Sequence, residues 1–383
     1  MSTAKRWRVL LVTGGRTHQE NYAESFRADP RAEIVAVTDE QEVDDYRRAH
    51  NLLLARRLGV PYVEPIERAL EQVDCDILSI CAEPDRRGRV ILNCMSLTRK
   101  AFYLDKSLCA SLEEARQIRD EARRRHLMTH MYTNITQPWA RAARSDITSG
   151  RLGEIVAVHA DTYFAKGTPG TARPERRKET YPPDPRTFQT LRAKRELDNV
   201  GVYPITLLCW LLGCKIRRLY ALTANYFFRE HQEAGAEDFA AMVGETDSGV
   251  PFSITCGRIG WTSHPGAGVN RVIVVGKKRT GIYDMNSPRL VLSNADAPWR
   301  PPVPHPEDPM FFWASTQREA GVQPKRFWLP LRGDPHADVR YFLDCLERGI
   351  PSEADVELAA HATEVIFAAY RSAALEDWVD VSG

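Results

Sequence analysis

Between Arg8 and about Ile135, short apolar runs alternate with amphipathic stretches of helical period, the pattern of repeated strand–helix–strand units and hence of a parallel sheet. Strands are expected at Arg8–Val12, Ala32–Thr38, Asp76–Ala82, Ala101–Leu104 and Met128–Tyr132, with a short edge strand at Pro61–Tyr62. The intervening helices are expected at Gln19–Ala28, Arg47–Leu58, Ile66–Gln72, Arg87–Leu97, Leu112–Arg125 and Trp139–Ser149. Ser111 and Glu114 read as an S-x-x-E capping box, with Asp120–Arg124 and Glu121–Arg125 as i,i+4 pairs along the helix it opens. From about Leu152 the pattern changes. Glu154–Phe164, Ile216–Phe228, Phe239–Thr246, Pro251–Gly257 and Asn270–Val275 are rich in β-branched and aromatic residues and partly alternating, as strands of an antiparallel sheet are. Two helices, Ala337–Arg348 and Asp355–Ala374, close the chain and are expected to pack back on the first unit.

Proline interrupts this order twice. Lys166–Arg195 holds five prolines and nine basic residues, and Asp296–Pro309 holds six prolines; neither admits a regular helix or central strand, so the first reads as a long loop and the second as a lid or flap. Arg173–Lys178 in the first reads as a solvated basic face, and Trp261, Trp299 and Trp313 as aromatic packing under the sheet or flap.

Composition narrows the classes. Over 383 residues, 52 basic side chains balance 51 acidic ones and 43% of residues are apolar, so a packed core is expected and disorder is excluded. The balance gives no electrostatic case for nucleic acid or an anionic membrane as partner. The run Ile205–Leu212 is far short of the roughly 20 residues of a bilayer crossing, and a cytoplasmic protein is expected. Eight scattered cysteines without a CxxC pair read as buried, reduced thiols. Ten histidines without paired ligand spacing predict no metal site, and the glycines of His264–Val269 read as a loop, with no helix after them to cradle phosphate.

The candidate chemistry lies at the ends of the first strands. Thr13-Gly14-Gly15-Arg16-Thr17-His18 stands between strand one and helix one, where small residues let the backbone approach a pyrophosphate. In a GxGxxG frame Thr13 and His18 replace the first and last glycines, so by itself the turn serves equally as a plain strand-to-helix connection. Asp39 ends strand two, where a carboxylate can accept from both hydroxyls of an adenosine ribose; Glu40 beside it would repel a 2′-phosphate, favouring NAD over NADP. Ala82 and Pro84 stand after the Asp76 strand, where small and rigid residues would border a nicotinamide.

At Tyr103-Leu104-Asp105-Lys106-Ser107-Leu108 the chain resembles the Gfo/Idh/MocA family, that of glucose-fructose oxidoreductase, inositol dehydrogenase and their relatives. The Asp76–Pro84 strand and loop, Gly150–Ile155, Asn199–Tyr203 and Phe342–Ile366 extend the resemblance over nearly the whole chain. It implies an α/β protein: a Rossmann domain with a doubly wound parallel sheet at residues 1–135, then an α/β substrate-binding and dimerisation domain at 136–383 with a large, open, mostly antiparallel sheet. It further implies NAD(P)-dependent hydride transfer at a secondary hydroxyl or carbonyl of a sugar, sugar derivative or cyclic polyol, in a homodimer or homotetramer. Lys106 matches the family's lysine, which contacts substrate and nicotinamide ribose, and Asp105 stands at its glutamate. Asn199 and Tyr203 stand where many members have aspartate and histidine, so Asn199 would orient substrate and Tyr203 would carry the proton if Lys106 lowers its pKa. Gly14, Gly15, Arg16, Thr17, Asp39, Ala82, Pro84, Asp105 and Lys106 would line the cofactor site.

The departures from the family pattern are several: Thr13, His18, Gly88, Asp105, Ser107, Asn134, Ile135, Arg195-Glu196-Leu197 in place of glycines, and Asn199. They leave two other readings: a member without cofactor that acts as a binding or dimerisation partner, and an NAD-retaining redox-assisted lyase or glycosidase.

Overall fold

A computed structural model describes residues 6–164, 172, 194–259, 268–284 and 333–381. The flap Asp296–Pro309, the basic stretch Arg173–Lys178, Gly266, the three tryptophans named with them and the prolines of Lys166–Arg195 lie outside the described residues.

The first sheet is built from β1 (Trp7–Val12), β2 (Ala32–Thr38), β3 (Ile77–Ile80), β4 (Ala101–Leu104) and β5 (Thr129–Met131). All pair in parallel, in the order β2-β1-β3-β4-β5. β3 and β4 are buried on both faces, which is why their sequence is a continuous apolar run rather than an alternating one. Six helices connect or follow the strands: α1 (Gln19–Ala28), α2 (Asp45–Leu58), α3 (Ile66–Gln72), α4 (Pro84–Leu97), α5 (Leu112–Arg125) and α6 (Pro138–Thr148). Pro61–Tyr62 contributes one parallel bridge, Val37 to Tyr62, rather than a strand.

Local chemistry fixes the helix starts. Asp44 caps α2 by accepting from the Arg47 amide at 2.6 Å, and Ser111 caps α5 by accepting from the Glu114 amide at 3.3 Å. The capping box is completed on that side only. Glu114 turns instead toward α4, where a Cβ on Gly88 would lie 2.1 Å from Glu114 Oε2. Asp120 pairs with its neighbour Arg119 (2.9 Å) rather than with Arg124, while Glu121 takes both Arg124 (2.7 Å) and Arg125 (3.8 Å). Ser111→Ala should cost about 1 kcal/mol of stability, read as a lower urea midpoint at unchanged slope.

The second sheet has seven strands in the order β11-β10-β6-β9-β8-β7-β12: β6 (Ile155–Phe164), β7 (Ile216–Ala224), β8 (Phe239–Thr246), β9 (Pro251–Arg258), β10 (Gly268–Gly276), β11 (Thr280–Asp284) and β12 (Val379–Asp380). It is mostly antiparallel, with one parallel pair, β6 and β9. Tyr283, Val272, Ala160, Ile254, Met242 and Ala221 form one buried row across it. One register step away, Ile282, Ile273, His159, Ser253, Val243 and Tyr220 form a row on the open face, with Ile282 and Val243 about half exposed.

Helices cover the buried face. Between β6 and β8 come α7 (Glu196–Asn199), α8 (Val202–Leu212) and α9 (Arg229–Ala234); the chain closes with α10 (Ala337–Arg348) and α11 (Val356–Leu375). α8 packs on β6 and β9, while α11 lies on β7, α8 and α5. α10 packs beside α1, placing Val339, Phe342 and Leu343 in one core with Val9, Leu11 and Tyr103 of the first sheet. A buried polar cluster locks that junction: Asp338 Oδ2 accepts from Tyr103 Oη at 2.7 Å and lies 2.7 Å from His130 Nε2, whose Nδ1 meets Ser352 Oγ. Among the described residues no helix is long and apolar enough to cross a membrane.

Candidate active site

β1 and β3 are sheet neighbours whose chains leave in opposite directions, one to β2 and the other to β4. That divergence opens a crevice at the carboxyl ends of the strands, where ligands of such sheets bind. Thr13, Asp39, Ala82 and Lys106 follow four of these ends.

Lys106 stands two residues beyond β4, on a turn whose Lys106–Ser107 peptide is cis. Arg87, on the first turn of α4, holds that turn from below. Its Nε donates to the Ala82 carbonyl at 2.8 Å, one Nη to the Ser107 carbonyl and the other to Asp105 Oδ2 at 2.7 Å. Asp105 Oδ1 accepts from Tyr22 Oη and lies 2.9 Å from His18 Nδ1. Burial alone would raise the Asp105 pKa, but Arg87 and His18 outweigh it and hold the carboxyl well below the usual range. Asp105, read from the sequence as a cofactor contact, is thus a buried anchor of the Lys106 turn, its carboxylate already satisfied by protein donors. His18, in the place of the motif's last glycine, is turned toward Asp105.

The Lys106 ammonium reaches across to α7. Its Nζ donates to Asn199 Oδ1 at 2.6 Å and to the Asn199 carbonyl. Asn199 Nδ2 donates to Glu196 Oε2 at 2.8 Å, and Glu196 also accepts from Arg258 Nε at 2.8 Å and lies 3.2 Å from His231 Nε2. Burial pushes Glu196 up, yet its bonds to His231 and Arg258 bring it down to about 2. An ionised carboxylate only accepts, so it fixes the amide end of Asn199 and leaves the carbonyl oxygen for Lys106. Asn199, expected to orient substrate, here holds the lysine.

Burial is the largest influence on Lys106 itself and, with the nearby Lys194 charge, pushes its pKa down to about 7, against the pull of Asp105, Glu196 and Asp198. Tyr203, on the first turn of α8, places its ring centroid 5.2 Å from Lys106 Nζ, among Tyr132 and Phe164. Its hydroxyl is held well above the ordinary range by burial. The expected lowering by Lys106 does not occur, because loss of solvent dominates there, and Tyr203 stays a phenol.

At the other end of the crevice, Thr13 has φ at 71°, a costly conformation for a β-branched residue and one that glycine adopts freely. A Cβ on Gly14 would lie 2.7 Å from Asn51 Cα, so glycine there lets α2 close on the turn. Thr17 Oγ1 donates to the Gly14 carbonyl at 2.7 Å, and the Arg16 amide donates to Glu20 Oε1 at 2.8 Å. Arg47 donates to the Gly15 carbonyl at 2.6 Å and pairs with Glu83. Asp39 is fully buried. Its carboxylate accepts from Arg86, Asn51 and the Glu40 amide, while Ala82 lies in the loop before α4 and Pro84 is that helix's first residue.

Comparison with known proteins decides the family. Residues 7–133 match the model of an oxidoreductase family with an NAD-binding Rossmann fold, and residues 140–281 match the GFO/IDH/MocA C-terminal domain. The chain belongs to the Gfo/Idh/MocA oxidoreductase family. Similar solved structures include a myo-inositol dehydrogenase homologue from Sinorhizobium meliloti, at 18% identity and TM-score 0.70, covering 98% of this chain and 99% of that one. GenD2 from gentamicin A biosynthesis, solved in complex with NAD, gives 20% identity, TM-score 0.70 and coverage of 99% and 97%. Scyllo-inositol dehydrogenase from Lactobacillus casei, solved with NAD(H) and scyllo-inositol, gives 14% identity, TM-score 0.67 and coverage of 99% and 100%. At these identities the likeness is one of fold. No curated protein matches the chain.

Measured against the family's residues, the structure brings Lys106, Asn199 and Tyr203 together at one end of the crevice and Asp39 with the Thr13–Thr17 turn at the other, while the Ala82 carbonyl shares Arg87 with the Lys106 turn. Arg86, Arg87 and His231 were not singled out from the sequence, and Glu196 stood out only within Arg195-Glu196-Leu197, where the family usually has glycines. The available signal was Arg86-Arg87 at the opening of a helix, where the helix dipole disfavours cations and a carboxylate partner is therefore required. The donor set fits a dinucleotide: a carboxylate follows β2, a tight turn opens α1 and an amine follows β4. Arg86 and Asn51 both donate to the Asp39 carboxylate. Among the described residues no cluster of three potential ligands could hold a metal ion.

Proposed function

We propose that the protein transfers a hydride between NAD and a secondary hydroxyl or carbonyl of a sugar, sugar derivative or cyclic polyol, with Lys106 as the group that moves the proton. The observation that carries this reading is the buried Lys106 amine, held by Asn199 at 2.6 Å in surroundings whose burial pushes its pKa down to about 7. A hydroxyl losing hydride must also lose its proton, and a base is most effective when its pKa lies near the working pH. Unprotonated Lys106 accepts that proton in oxidation; as ammonium it stabilises developing negative charge on the same oxygen and returns the proton in reduction. Tyr203, a phenol over the same amine, donates to the substrate oxygen and positions it.

When bound, the nicotinamide supplies the hydride acceptor. Asp39, Gly14, Gly15, Arg16, Thr17, Ala82 and Pro84 line the crevice that would hold the dinucleotide, with Asp105 beneath it. Asp39 follows β2, where a carboxylate can accept from both hydroxyls of an unphosphorylated adenosine ribose, which favours NAD. The open face of the second sheet, with Ile282 and Val243 on one row, supports assembly into a homodimer or homotetramer through that sheet.

The Lys106 pKa sets the sign of the pH dependence. In the oxidation direction kcat/KM should rise with pH through about 7 and level off above it. In reduction, which needs the ammonium, it should fall over the same range. A profile flat between pH 6 and 8 in both directions would remove Lys106 as the proton carrier.

A further inference from the structure

Arg86 lies across the crevice rather than along its wall. Its Nη1 donates to Asp39 Oδ1 at 2.7 Å and to Glu40 Oε2 at 3.1 Å, its Nη2 to Asp39 Oδ2 at 3.1 Å and to Thr13 Oγ1 at 3.0 Å, and its Nε to Glu83 Oε2 at 2.6 Å. One guanidinium therefore ties the turn after β1, the end of β2 and the start of α4. Asp39 also accepts from Asn51 Nδ2 at 2.8 Å and from the Glu40 amide at 2.9 Å. A carboxylate offers about four acceptor sites, and these four donors to Asp39 fill them. A ribose diol that used Asp39 would find no lone pair free.

We infer that Arg86 is an intramolecular occupant of the ribose acceptor, which an entering dinucleotide displaces from Asp39. The inference rests on the dinucleotide reading above and deepens it. Displacement does not strand the charge, because Glu83 and Glu40 already bond the same guanidinium and can keep it. Glu40 is itself held by Arg89 at 2.9 Å, so the pair of acids stays neutralised as Arg86 shifts. Thr13 is the second half of the bar. Glycine at that position would offer no hydroxyl to Arg86, whereas threonine holds the guanidinium over the turn that a pyrophosphate would approach. Arg86 thus sets dinucleotide affinity by competing for Asp39, and the wild-type protein binds NADH more weakly than its fold allows.

The test is a fluorescence titration of the full chain with NADH and with NADPH, for the wild type, Arg86→Gln and Arg86→Met, with circular dichroism to certify folding. Glutamine keeps a donor for Asp39 without the fork or the charge; methionine removes both. NADH should bind the folded variants roughly tenfold or more tightly, the scale of a lost charge-assisted hydrogen bond. Saturable binding by a variant where the wild type shows none also supports the inference. Unchanged or weaker NADH binding by the folded variants, with the wild type binding, overturns it and leaves the dinucleotide reading in place. Loss of NADPH binding alone overturns it too, by assigning Arg86 to a 2′-phosphate. No binding of either nucleotide by any of the three folded proteins overturns both.

Discussion

Lys106→Met is expected to lower turnover by roughly two or more orders of magnitude while leaving NADH binding within a few fold of wild type. Methionine keeps much of the length and the apolar stem of lysine but can neither accept the substrate proton nor stabilise an alkoxide. The amine is buried and its two hydrogen bonds run to Asn199, so its removal touches the chemical end of the crevice and not the nucleotide turn. The variant should also lose the pH limb near 7, because the titrating group is gone. Single-turnover rates beside equilibrium NADH titration check the split. Equal loss of both would make Lys106 a binding residue; unchanged turnover would take it out of the mechanism.

Arg87→Met is expected to destabilise the fold by about 3–5 kcal/mol, the usual consequence of leaving a buried charge without its partner. Arg87 and Asp105 are both buried and meet at 2.7 Å, and the same guanidinium satisfies the Ala82 and Ser107 carbonyls. The pH dependence follows from the sign of the Asp105 shift. Its carboxyl is depressed in the folded protein, so the stability it contributes is present above the unfolded value near 4 and drains away as pH falls below it. The deficit of the variant should therefore be largest near neutrality and narrow in acid. Urea unfolding at pH 7 and at about pH 3 or below measures both; a loss below about 1 kcal/mol at pH 7 would mean that water or another donor replaces Arg87.

Much of the fold was legible because each element's burial dictates its pattern. The continuous apolar runs of Ile77–Ile80 and Ala101–Leu104 are what strands covered on both faces require, and the β-branched stretches after Leu152 match strands covered on one. The parallel pairing of β6 with β9 was not legible, since alternation tells which face is buried but not which neighbour pairs or in which direction. β11, a five-residue strand directly after Lys277-Lys278-Arg279, was not read because Gly281 and the closing Asp284 leave Ile282-Tyr283 as its only run of strand formers.

In the site, Lys106 stood out by its motif, while the groups that tune it did not. Glu196, His231 and Arg258 come from three separate elements and meet only in the folded chain. The protein donors that occupy Asp39 and Asp105 have one physical cause. Both lie at strand ends as expected, but each faces an arginine of the same helix start, Arg86 outward and Arg87 inward. Adjacent residues on a helix point about 100° apart, so two neighbouring arginines serve opposite ends of the crevice.

The central claim is that this crevice takes a nicotinamide dinucleotide for redox chemistry, and an NADH titration of the purified, folded protein, carried to millimolar ligand, tests it most directly. The account predicts saturable binding with one site per chain and NADH preferred over NADPH. No saturable binding of either nucleotide, for the wild type and for Arg86→Gln alike, would contradict it and leave a family fold that serves as a binding or dimerisation partner.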